Sequence, residues 1–416
     1  MSKTGGSGGI VETLLAFRQE NLYIIFFTEI LFYTSFAMLI PTLPLYLADF
    51  KVGTTQIGVV MSIFAVGLLG SRPYIGKFID RYGARCTLRY GGGILTGCTL
   101  LYAFAPGLIW IYPIRIIHGV SMAFHSTASN AIVASSTTSE NRGGIMGLFG
   151  ISRAVAFGVG PILGSFTLDI WGHKTVFIAA AVVGLAAMIL AKFGGECSEV
   201  EIETNRAALK EFLQDRTLIF VTVAMFLLTL AHGGLTTFIP IHVKDRMAGN
   251  LGTFYLVYSL SITLVEIFAG KASDRQCRMP IALCSVLLLG VGFVAVGGVA
   301  GMPTLILAAV IYGAGFGGFQ VAIGAFVADQ TNDENRGKVF SIFYASYDLG
   351  IALSGVVMGA IAAGVGLSGM FYLSSIVVIP SILLLMFAPR EGVREAFACG
   401  WLGETRPEVR HAGGSL

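Results

Sequence analysis

The run Gly-Lys-Phe-Ile-Asp-Arg at residues 76–81 returns as Gly-Lys-Ala-Ser-Asp-Arg at residues 270–275. The run Glu-Asn-Arg-Gly at residues 140–143 returns unchanged at residues 334–337. Both pairs are separated by 194 residues (270 − 76 and 334 − 140). A constant separation of this kind indicates an internal duplication, in which each half of the chain is roughly 200 residues long.

The chain is strongly apolar. Of its 416 residues, 55% are hydrophobic and 12% are charged, and the mean hydropathy is +0.78. Soluble domains carry about 25% charged residues. The composition therefore excludes a soluble globular protein and predicts a lipid bilayer as the surroundings. The net charge of +3 reflects topology, and we expect no nucleic-acid partner.

Apolar stretches of about 20 residues, the length that crosses a hydrocarbon core of about 30 Å, occur six times in each half. They predict an all-α membrane protein with twelve transmembrane helices in two pseudo-symmetric six-helix bundles. The predicted spans lie near residues 22–47, 55–76, 87–105, 108–133, 144–168, 174–193, 217–241, 251–272, 279–299, 303–328, 338–363 and 367–388.

The distribution of Lys and Arg predicts the topology, because cytoplasmic loops are enriched in these residues. The loops on one side hold only Lys51, Lys174, Lys244 and Arg246, and most other basic residues lie on the opposite side. We therefore expect a cell-membrane (cytoplasmic or inner membrane) protein with both termini in the cytoplasm. The predicted divisions are an N-terminal tail 1–21, a first bundle 22–193, a cytoplasmic linker 194–216, a second bundle 217–388 and a C-terminal tail 389–416.

Residues 76–85, between spans two and three, resemble the signature loop of the major facilitator superfamily, and residues 270–278 are a degraded second copy. The resemblance covers nearly the whole chain and is closest to twelve-span drug and metabolite efflux proteins. It implies the major facilitator fold and a transporter rather than an enzyme.

The resemblance also implies a cytoplasmic gate, in which each signature loop docks on a helix of the other half. Asp80 and Asp274 would supply negative charge to helix N-termini, where anions are favoured. Alternatively, the arginines of these loops only set the topology. The predicted gate residues are Gly76, Asp80, Arg81, Arg85, Glu140, Arg142, Gly270, Asp274, Arg275, Arg278, Glu334 and Arg336.

Span four carries Arg115 and His118 within a stretch that resembles the fourth-helix motif of proton-coupled superfamily members. His125 and Ser129 follow at helical spacing on the same face, which makes this face a candidate cavity wall. An arginine at this depth is costly and normally faces a partner or water. The alternative for both histidines is hydrogen-bonded packing.

Span one carries Glu29, and an ionised, unpaired carboxylate inside a membrane is expensive. In related multidrug antiporters a first-helix acid near the fourth-helix arginine couples transport to protons, and Glu29 is similarly placed. Arg115 is expected about 8 Å further along the membrane normal, so His118 could bridge the two. We predict Glu29, Arg115 and His118 as proton-coupling residues; the alternative for Glu29 is a structural ion pair.

Span five contains Ala156-x-x-x-Gly160-Pro161-x-x-Gly164-Ser165, which resembles a motif enriched in antiporters, although Ala156 and Ser165 replace the usual glycines. Glycine and proline in mid-helix permit bending and close helix approach. The alternative is an ordinary packing motif.

Four further charges lie within spans and suggest two pairs between the halves. Arg72 is predicted to meet Asp348, and Arg153 to meet Glu266; the alternative is that water in a cavity satisfies these charges. A set of aromatic and histidine side chains could line the substrate cavity, although many would instead be ordinary packing. Its members are Tyr33, Phe36, Phe124, His125, Tyr258, Phe319, Tyr344 and Tyr347.

Together these features predict a monomeric secondary transporter that exports a small amphipathic drug or metabolite by proton-coupled antiport, without a cofactor or metal. The alternative is proton-coupled or facilitated uptake of a small metabolite such as an organic acid, steered by Arg115 and Arg72. At the 194-residue separation Glu29, Arg115 and His118 align with Val223, Ala309 and Tyr312. The predicted coupling residues therefore occur in the first half alone.

Overall fold

The computed structural model describes residues 21–136, 142–195, 215–246, 249–275, 278–331 and 336–388. Nearly all of the predicted tail 1–21, most of the linker 194–216 and all of the tail 389–416 lie outside this part. Every regular element within it is helical. The helices are α1 Leu22–Asp49, α2 Thr54–Tyr82, α3 Ala84–Ala103, α4 Leu108–Ser135, α5 Arg142–Ala191, α6 Arg216–Asp245, α7 Leu251–Arg275, α8 Arg278–Gly297, α9 Met302–Asp329, α10 Arg336–Ile376 and α11 Val378–Phe387.

Two of these helices are interrupted by a single glycine. Gly172 in α5 has φ 78° and Gly366 in α10 has φ 75°, a left-handed conformation that glycine adopts without steric cost. The two glycines are separated by 194 residues (366 − 172). The breaks fall between predicted spans five and six and between spans eleven and twelve, so the duplication extends to the backbone conformation.

The number of membrane crossings agrees with the prediction. Eight helical stretches in the described residues are long and apolar enough to cross a bilayer. Two of them, Leu148–Gly194 and Ile342–Phe387, contain the glycine breaks and account for two crossings each. α3 and α4 are 20 and 28 residues long and add two more, although arginine and histidine side chains reduce their hydropathy. The twelve predicted spans are confirmed.

The helices form two compact units whose boundaries cut across the sequence halves. Unit 1 is the described part of Met1–Thr204 together with His232–Leu256 and Ile351–Leu367. Unit 2 is the described part of Asn205–Ala231, Val257–Gly350 and Ser368–Leu416. Unit 1 therefore contains both the first half and short segments of α6, α7 and α10 from the second half.

Close backbone contacts join the helices of unit 1. α1 packs along α5, and α4 packs on both α2 and α3. At the α2–α4 crossing, a Cβ added to Gly67 would overlap the carbonyl of Ile116, and one added to Gly119 would overlap the carbonyl of Phe64. Small residues allow this approach, which provides van der Waals contact where lipid removes the hydrophobic driving force.

Unit 2 uses the same kind of contact. α8 packs on α9, where a Cβ on Gly292 would lie 2.8 Å from the Cα of Tyr312 and one on Gly315 would lie 2.7 Å from the amide nitrogen of Leu289. α9 also approaches α7, and the hydroxyl of Ser261 donates a hydrogen bond to the carbonyl of Val310 at 2.8 Å. Glycine is thus part of the packing surface in both units.

One end of unit 1 brings the two sequence halves together. We call it the Asp49 end, because α1 ends there at Asp49. Gly58 of α2 contacts the backbone of Gly355 of α10, and the hydroxyl of Thr54 donates to the carbonyl of Gly359 at 3.1 Å. Residues 351–367 therefore form part of the core of unit 1 at this end.

The α2–α4 crossing predicts a difference between two glycines. Gly119→Ala should lower the free energy of unfolding by about 1–3 kcal/mol, because the new methyl group overlaps the Phe64 carbonyl and forces the helices apart. Thermal unfolding of the detergent-purified protein would measure this change. Gly97→Ala is the matched control, since nothing lies within 4 Å of a Cβ at Gly97. Equal stability of the two variants would contradict the assigned role of Gly119.

Candidate functional site

Glu29 is the centre of a polar cluster in unit 1. Its side chain is on α1 and is completely buried. The hydroxyl of Ser129 on α4 donates a hydrogen bond to Oε1. On α5, the Ser152 hydroxyl lies 3.1 Å from Oε2 and the Nε of Arg153 donates to Oε2 at 3.2 Å. The Ser152 hydroxyl also lies 2.7 Å from the carbonyl of Phe149, so it shares one proton between two acceptors.

Arg153 connects this buried carboxylate to a more open part of the structure. Its side chain is 37% exposed, whereas that of Glu29 is 0% exposed. The Nη2 atom donates to the side-chain oxygen of Asn130 at 3.2 Å, and the guanidinium carbon lies 5.8 Å from the ring centroid of Tyr33. A buried anion with a hydrogen-bonded partner avoids the penalty of an isolated charge.

The packing of α1 on α5 places Glu29 beside Arg153. The span-five glycines lie in this contact: a Cβ on Gly160 would lie 2.5 Å from the Cβ of Ala37, and one on Gly164 would overlap the carbonyl of Met38. The hydroxyl of Ser35 donates to the carbonyl of Ala180 at 2.7 Å and binds α1 to the second part of α5. In this structure the span-five motif is a close-packing surface.

Aromatic rings and His125 adjoin the cluster. The His125 ring stacks on Phe32, with centroids 3.6 Å apart and planes at 4°, and the Tyr33 ring meets it edge-on at 5.6 Å. His125 is fully buried, and within the described residues neither of its ring nitrogens has a hydrogen-bond partner. Tyr33 also contacts Phe157 at 5.7 Å. These rings form an apolar wall next to the ion pair.

Arg115 and His118 form a second, separate polar group. Arg115 donates from Nη2 to the carbonyl of Met61 at 2.9 Å, and its guanidinium lies 4.8 Å from the ring centroid of Phe64. His118 Nδ1 lies 3.3 Å from the hydroxyl of Tyr102. These contacts hold α4 to α2 and α3. The sequence suggested Arg115, or His118 as a bridge, as the partner of Glu29, whereas the structure pairs Glu29 with Arg153.

The predicted cavity residues fall in both units. Tyr33, Phe36 and His125 are neighbours in unit 1, and the Phe36 ring lies 5.3 Å from that of His118. Phe124 instead packs on Phe78 at 5.1 Å. In unit 2, Tyr258 contacts Tyr312 at 6.0 Å, Phe319 is 1% exposed and Tyr344 is 46% exposed. Tyr347 is half-buried.

The predicted gate residues are only partly described. Gly76, Asp80 and Arg81 lie near the end of α2, and Arg85 lies on α3 against Gly195, where an added Cβ would overlap its guanidinium. Arg278 pairs with Asp329 at 2.9 Å. Glu140 and Glu334 lie outside the described residues. For Arg142, Gly270, Asp274, Arg275 and Arg336 the structure describes the helical backbone only.

The predicted charge pairs join residues of different units. Arg72 is in unit 1 and Asp348 in unit 2, so their pairing stays a prediction. Glu266 is also in unit 2, whereas Arg153 is bound to Glu29 within unit 1. A pair between Arg153 and Glu266 therefore also stays a prediction.

Sequence reasoning did not connect Ser152 or Asn130 with Glu29. Ser152 directly precedes Arg153 in the chain, and Asn130 is a polar residue within an apolar span, but polar residues at such positions also occur in ordinary packing. At the 194-residue separation, Glu29, Ser129, Ser152 and Arg153 align with Val223, Ile323, Ser346 and Tyr347. The second half therefore has neither the acid nor the base of this cluster.

The family model named Major Facilitator Superfamily matches residues 25–275 and 246–398. The chain belongs to the Major Facilitator Superfamily. The predicted family and fold are confirmed, and superfamily membership makes this protein a multi-pass membrane transporter and not an enzyme.

Two relatives that the chain resembles have names that describe export or efflux. The staphylopine export protein of Staphylococcus aureus is 23% identical over 392 residues, which cover 90% of this chain and 97% of that protein. The multi-drug resistance efflux pump PmrA of Streptococcus pneumoniae is 22% identical, covering 91% of this chain and 98% of that protein. A crystal structure of a mutant of the nucleoside transporter NupG superposes with a TM-score of 0.73 at 15% identity, covering 88% of this chain and 99% of that one. This last likeness concerns the fold alone.

The Glu29–Arg153 contact predicts the result of a double-mutant cycle. Arg153→Met should destabilise the protein, because it leaves a buried carboxylate without its cation, and the loss should be smaller when Glu29→Gln is present. We expect a coupling energy of about 0.5–3 kcal/mol, measured by SDS-titrated unfolding in mixed micelles.

The matched control combines Glu29→Gln with Arg115→Met. Because Arg115 binds backbone carbonyls of α2 and does not contact Glu29 directly, its coupling to Glu29→Gln should be much smaller than that of Arg153. A larger coupling to Arg115 than to Arg153 would contradict the observed pairing.

Proposed function

We propose that this chain exports a small amphipathic drug or metabolite by proton-coupled antiport with alternating access. The observation that carries this proposal is the fully buried Glu29, held by Ser129, Ser152 and Arg153 beside a wall of aromatic rings. The names of the staphylopine export protein and of the PmrA efflux pump support export as the direction of transport.

Competition between two cations at Glu29 provides the coupling in this proposal. A carboxylate in a dry interior requires a neutralising partner, and either Arg153 or a proton can supply the positive charge. When a proton binds to Glu29, the attraction that holds Arg153 Nε to Oε2 is lost. Ser129 and Ser152 can still bond the protonated acid, because a carboxyl group both donates and accepts.

Release of Arg153 changes the wall that a substrate would contact. The guanidinium lies near the face of Tyr33, and Tyr33 in turn contacts His125 and Phe157. With Glu29 ionised, the charge of Arg153 is neutralised, and the wall presents mostly aromatic surface to an amphipathic molecule. With Glu29 protonated, the same wall carries an uncompensated positive charge. The proton and the substrate therefore favour different states of one site, as antiport requires.

Arg115 and His118 belong to the proposed coupling machinery through α4. The same helix carries Ser129 on the Glu29 side and Arg115 and His118 on the contacts with α2 and α3. A shift of Ser129 when Glu29 changes its charge would be transmitted along α4 to these contacts. The proposal also includes a cytoplasmic gate formed by the two repeated motifs and a substrate cavity lined by the predicted aromatic residues. It further includes cytoplasmic termini and a monomeric state.

Transport by reconstituted protein tests the function. We expect that a panel of amphipathic cations, anions and zwitterions, screened in proteoliposomes, contains at least one compound that a pH gradient drives uphill. Glu29→Gln should abolish uphill transport of that compound, because the variant cannot exchange a proton, yet retain counterflow between labelled and unlabelled compound. Uphill transport by Glu29→Gln at the wild-type rate would exclude Glu29 as the coupling residue.

The direction of the driven flux separates export from uptake. In antiport the compound moves against the proton flux, whereas proton-coupled uptake moves both in the same direction. The binding of the Arg115 guanidinium to backbone carbonyls of α2 does not favour its use in steering an organic acid. Flux of the compound with the protons would therefore overturn the proposal in favour of uptake.

A further inference from the structure

Three charged or titratable side chains meet at the Asp49 end of unit 1. The carboxylate of Asp49 ends α1, and its Oδ2 lies 3.0 Å from the Nε2 of His173, which follows the glycine break in α5. Its Oδ1 lies 3.4 Å from the Nζ of Lys244 in the last turn of α6. Asp49 and His173 come from the first sequence half and Lys244 from the second. One carboxylate thus binds the two halves together at this end.

The break at Gly172 brings the imidazole of His173 into this contact. The side chain of His173 is 20% exposed, and its ring lies 5.5 Å from that of Tyr46. The Nε2–H group donates to Asp49, whereas the buried Nδ1 has no hydrogen-bond partner among the described residues. A proton on Nδ1 would therefore create a buried, charged N–H group with no acceptor in this part of the structure, which is unfavourable.

The Asp49 end also closes through contacts in which His173 takes no part. On the α2–α10 side, Gly58 and Gly355 touch through their backbones, and Thr54 bonds to the carbonyl of Gly359. On the α5–α7 side, the side-chain amide of Asn250 donates to Asp169. A cavity of about 560 Å³ lies next to the charged contact and is lined by His173, Lys244, Asp169 and Asn250 among others. The Asp49 end therefore has a glycine-packed side between α2 and α10 and a charged side that borders the cavity.

We propose that Asp49, His173 and Lys244 form a proton-sensitive latch that closes the Asp49 end and that protonation of His173 releases. The proposal rests on the alternating-access part of the proposed function, because only a transporter that opens this end needs to part the contact. It depends neither on Glu29 as the coupling residue nor on the identity of the substrate.

The direction of the pH effect follows from the surroundings of His173. Burial lowers the pKa of His173 from its ordinary value of about 6.5; Asp49 opposes this shift, and Lys244 adds to it. The charged and titratable groups near the ring are Asp49 and Tyr46 on α1, Lys244 on α6 and Asp169 on α5. When the latch opens, the imidazole enters water and regains its ordinary affinity for protons.

The open form therefore binds a proton more tightly than the closed form. As the pH falls through the ordinary histidine range, proton binding favours the open form, and the effect saturates below the lowered pKa of the closed form. The distribution of Lys and Arg predicts that the Asp49 end faces outside. Acid on the outer side would then open the side from which an exporter takes up its proton.

Distance measurements across the latch test this proposal. Spin labels at Lys51 and Asp245, both exposed, would be introduced through a ketone-bearing amino acid, which leaves the native cysteines unmodified. The distance distribution of full-length protein in nanodiscs would be recorded at about pH 7.5 and about pH 5.5, in the wild type and in Glu29→Gln. We expect the ratio of long to short distances to rise several-fold on acidification, because the open form binds the proton more tightly than the closed form.

Three further variants decide the outcome. His173→Gln keeps an N–H donor for Asp49 but does not titrate, so the pH response should be lost in both backgrounds. Lys174→Gln is the matched control, because Lys174 lies over the Phe104 ring, 4.8 Å from its centroid; it should retain the response. Asp49→Asn should raise the long-distance fraction already at neutral pH, because the ion pair with Lys244 is lost and the hydrogen bond from the His173 N–H group to a carboxylate is replaced by a weaker one to a neutral amide.

Several results would overturn the latch. One is a pH response in His173→Gln as large as that of the wild type. Another is a shift of the wild type to shorter distances on acidification. A third is a wild-type distance distribution in Asp49→Asn at neutral pH. A monodisperse elution profile would confirm that each variant is folded. Because the readout is a distance, failure of the latch is distinguishable from failure of proton-coupled transport, which the Glu29→Gln flux assay measures.

Discussion

Helices in a bilayer gain little from hiding apolar surface against one another, because lipid tails are as apolar as leucine side chains. Close packing must supply the contact energy, and in this protein glycine makes that packing possible. Gly67 and Gly119 let α2 and α4 touch through their backbones, and Gly160 and Gly164 do the same for α5 and α1. The positions of the polar side chains depend on these crossings, since each crossing determines which residues of two helices lie at the same height.

The Glu29 cluster shows what this dependence means for chemistry. A buried carboxylate requires donors, and three different side chains from α4 and α5 supply them. None of the three lies within 90 residues of Glu29 in the chain, so the cluster exists only because α1 lies along α5 and near α4. The second half preserves the helices and the break at Gly366 but has Val223 and Tyr347 in place of the acid and the base. The duplicated architecture therefore carries the Glu29 cluster in one copy only.

α1 carries two carboxylates in different surroundings. Glu29, about two turns after the start of the helix, is fully buried, and its partner Arg153 reaches an exposed region, so a change in the charge of Glu29 acts on contacts inside unit 1. At its last residue, Asp49 is half exposed and contacts side chains from both sequence halves. The charge of Glu29 acts on helix packing within the first half, and the charge of Asp49 acts on the contact between the halves. α1 thus carries one carboxylate suited to a transport site and another suited to a closure.

The sequence alone determined the membrane class, the twelve spans, the duplication and the family, because each of these depends on local composition or on motifs separated by a constant distance. The spacing along span four puts Arg115, His118 and Ser129 on one face of a helix, and all three are buried. The sequence also shows Glu29 and Arg153 as charges within apolar spans, without showing that they contact each other. Only the tertiary structure decided that Glu29 meets Arg153 while Arg115 binds α2. Position in a span specifies a residue's depth in the membrane, but which neighbour it faces depends on how the helices are rotated and where their glycines cross, and this is a property of several helices together.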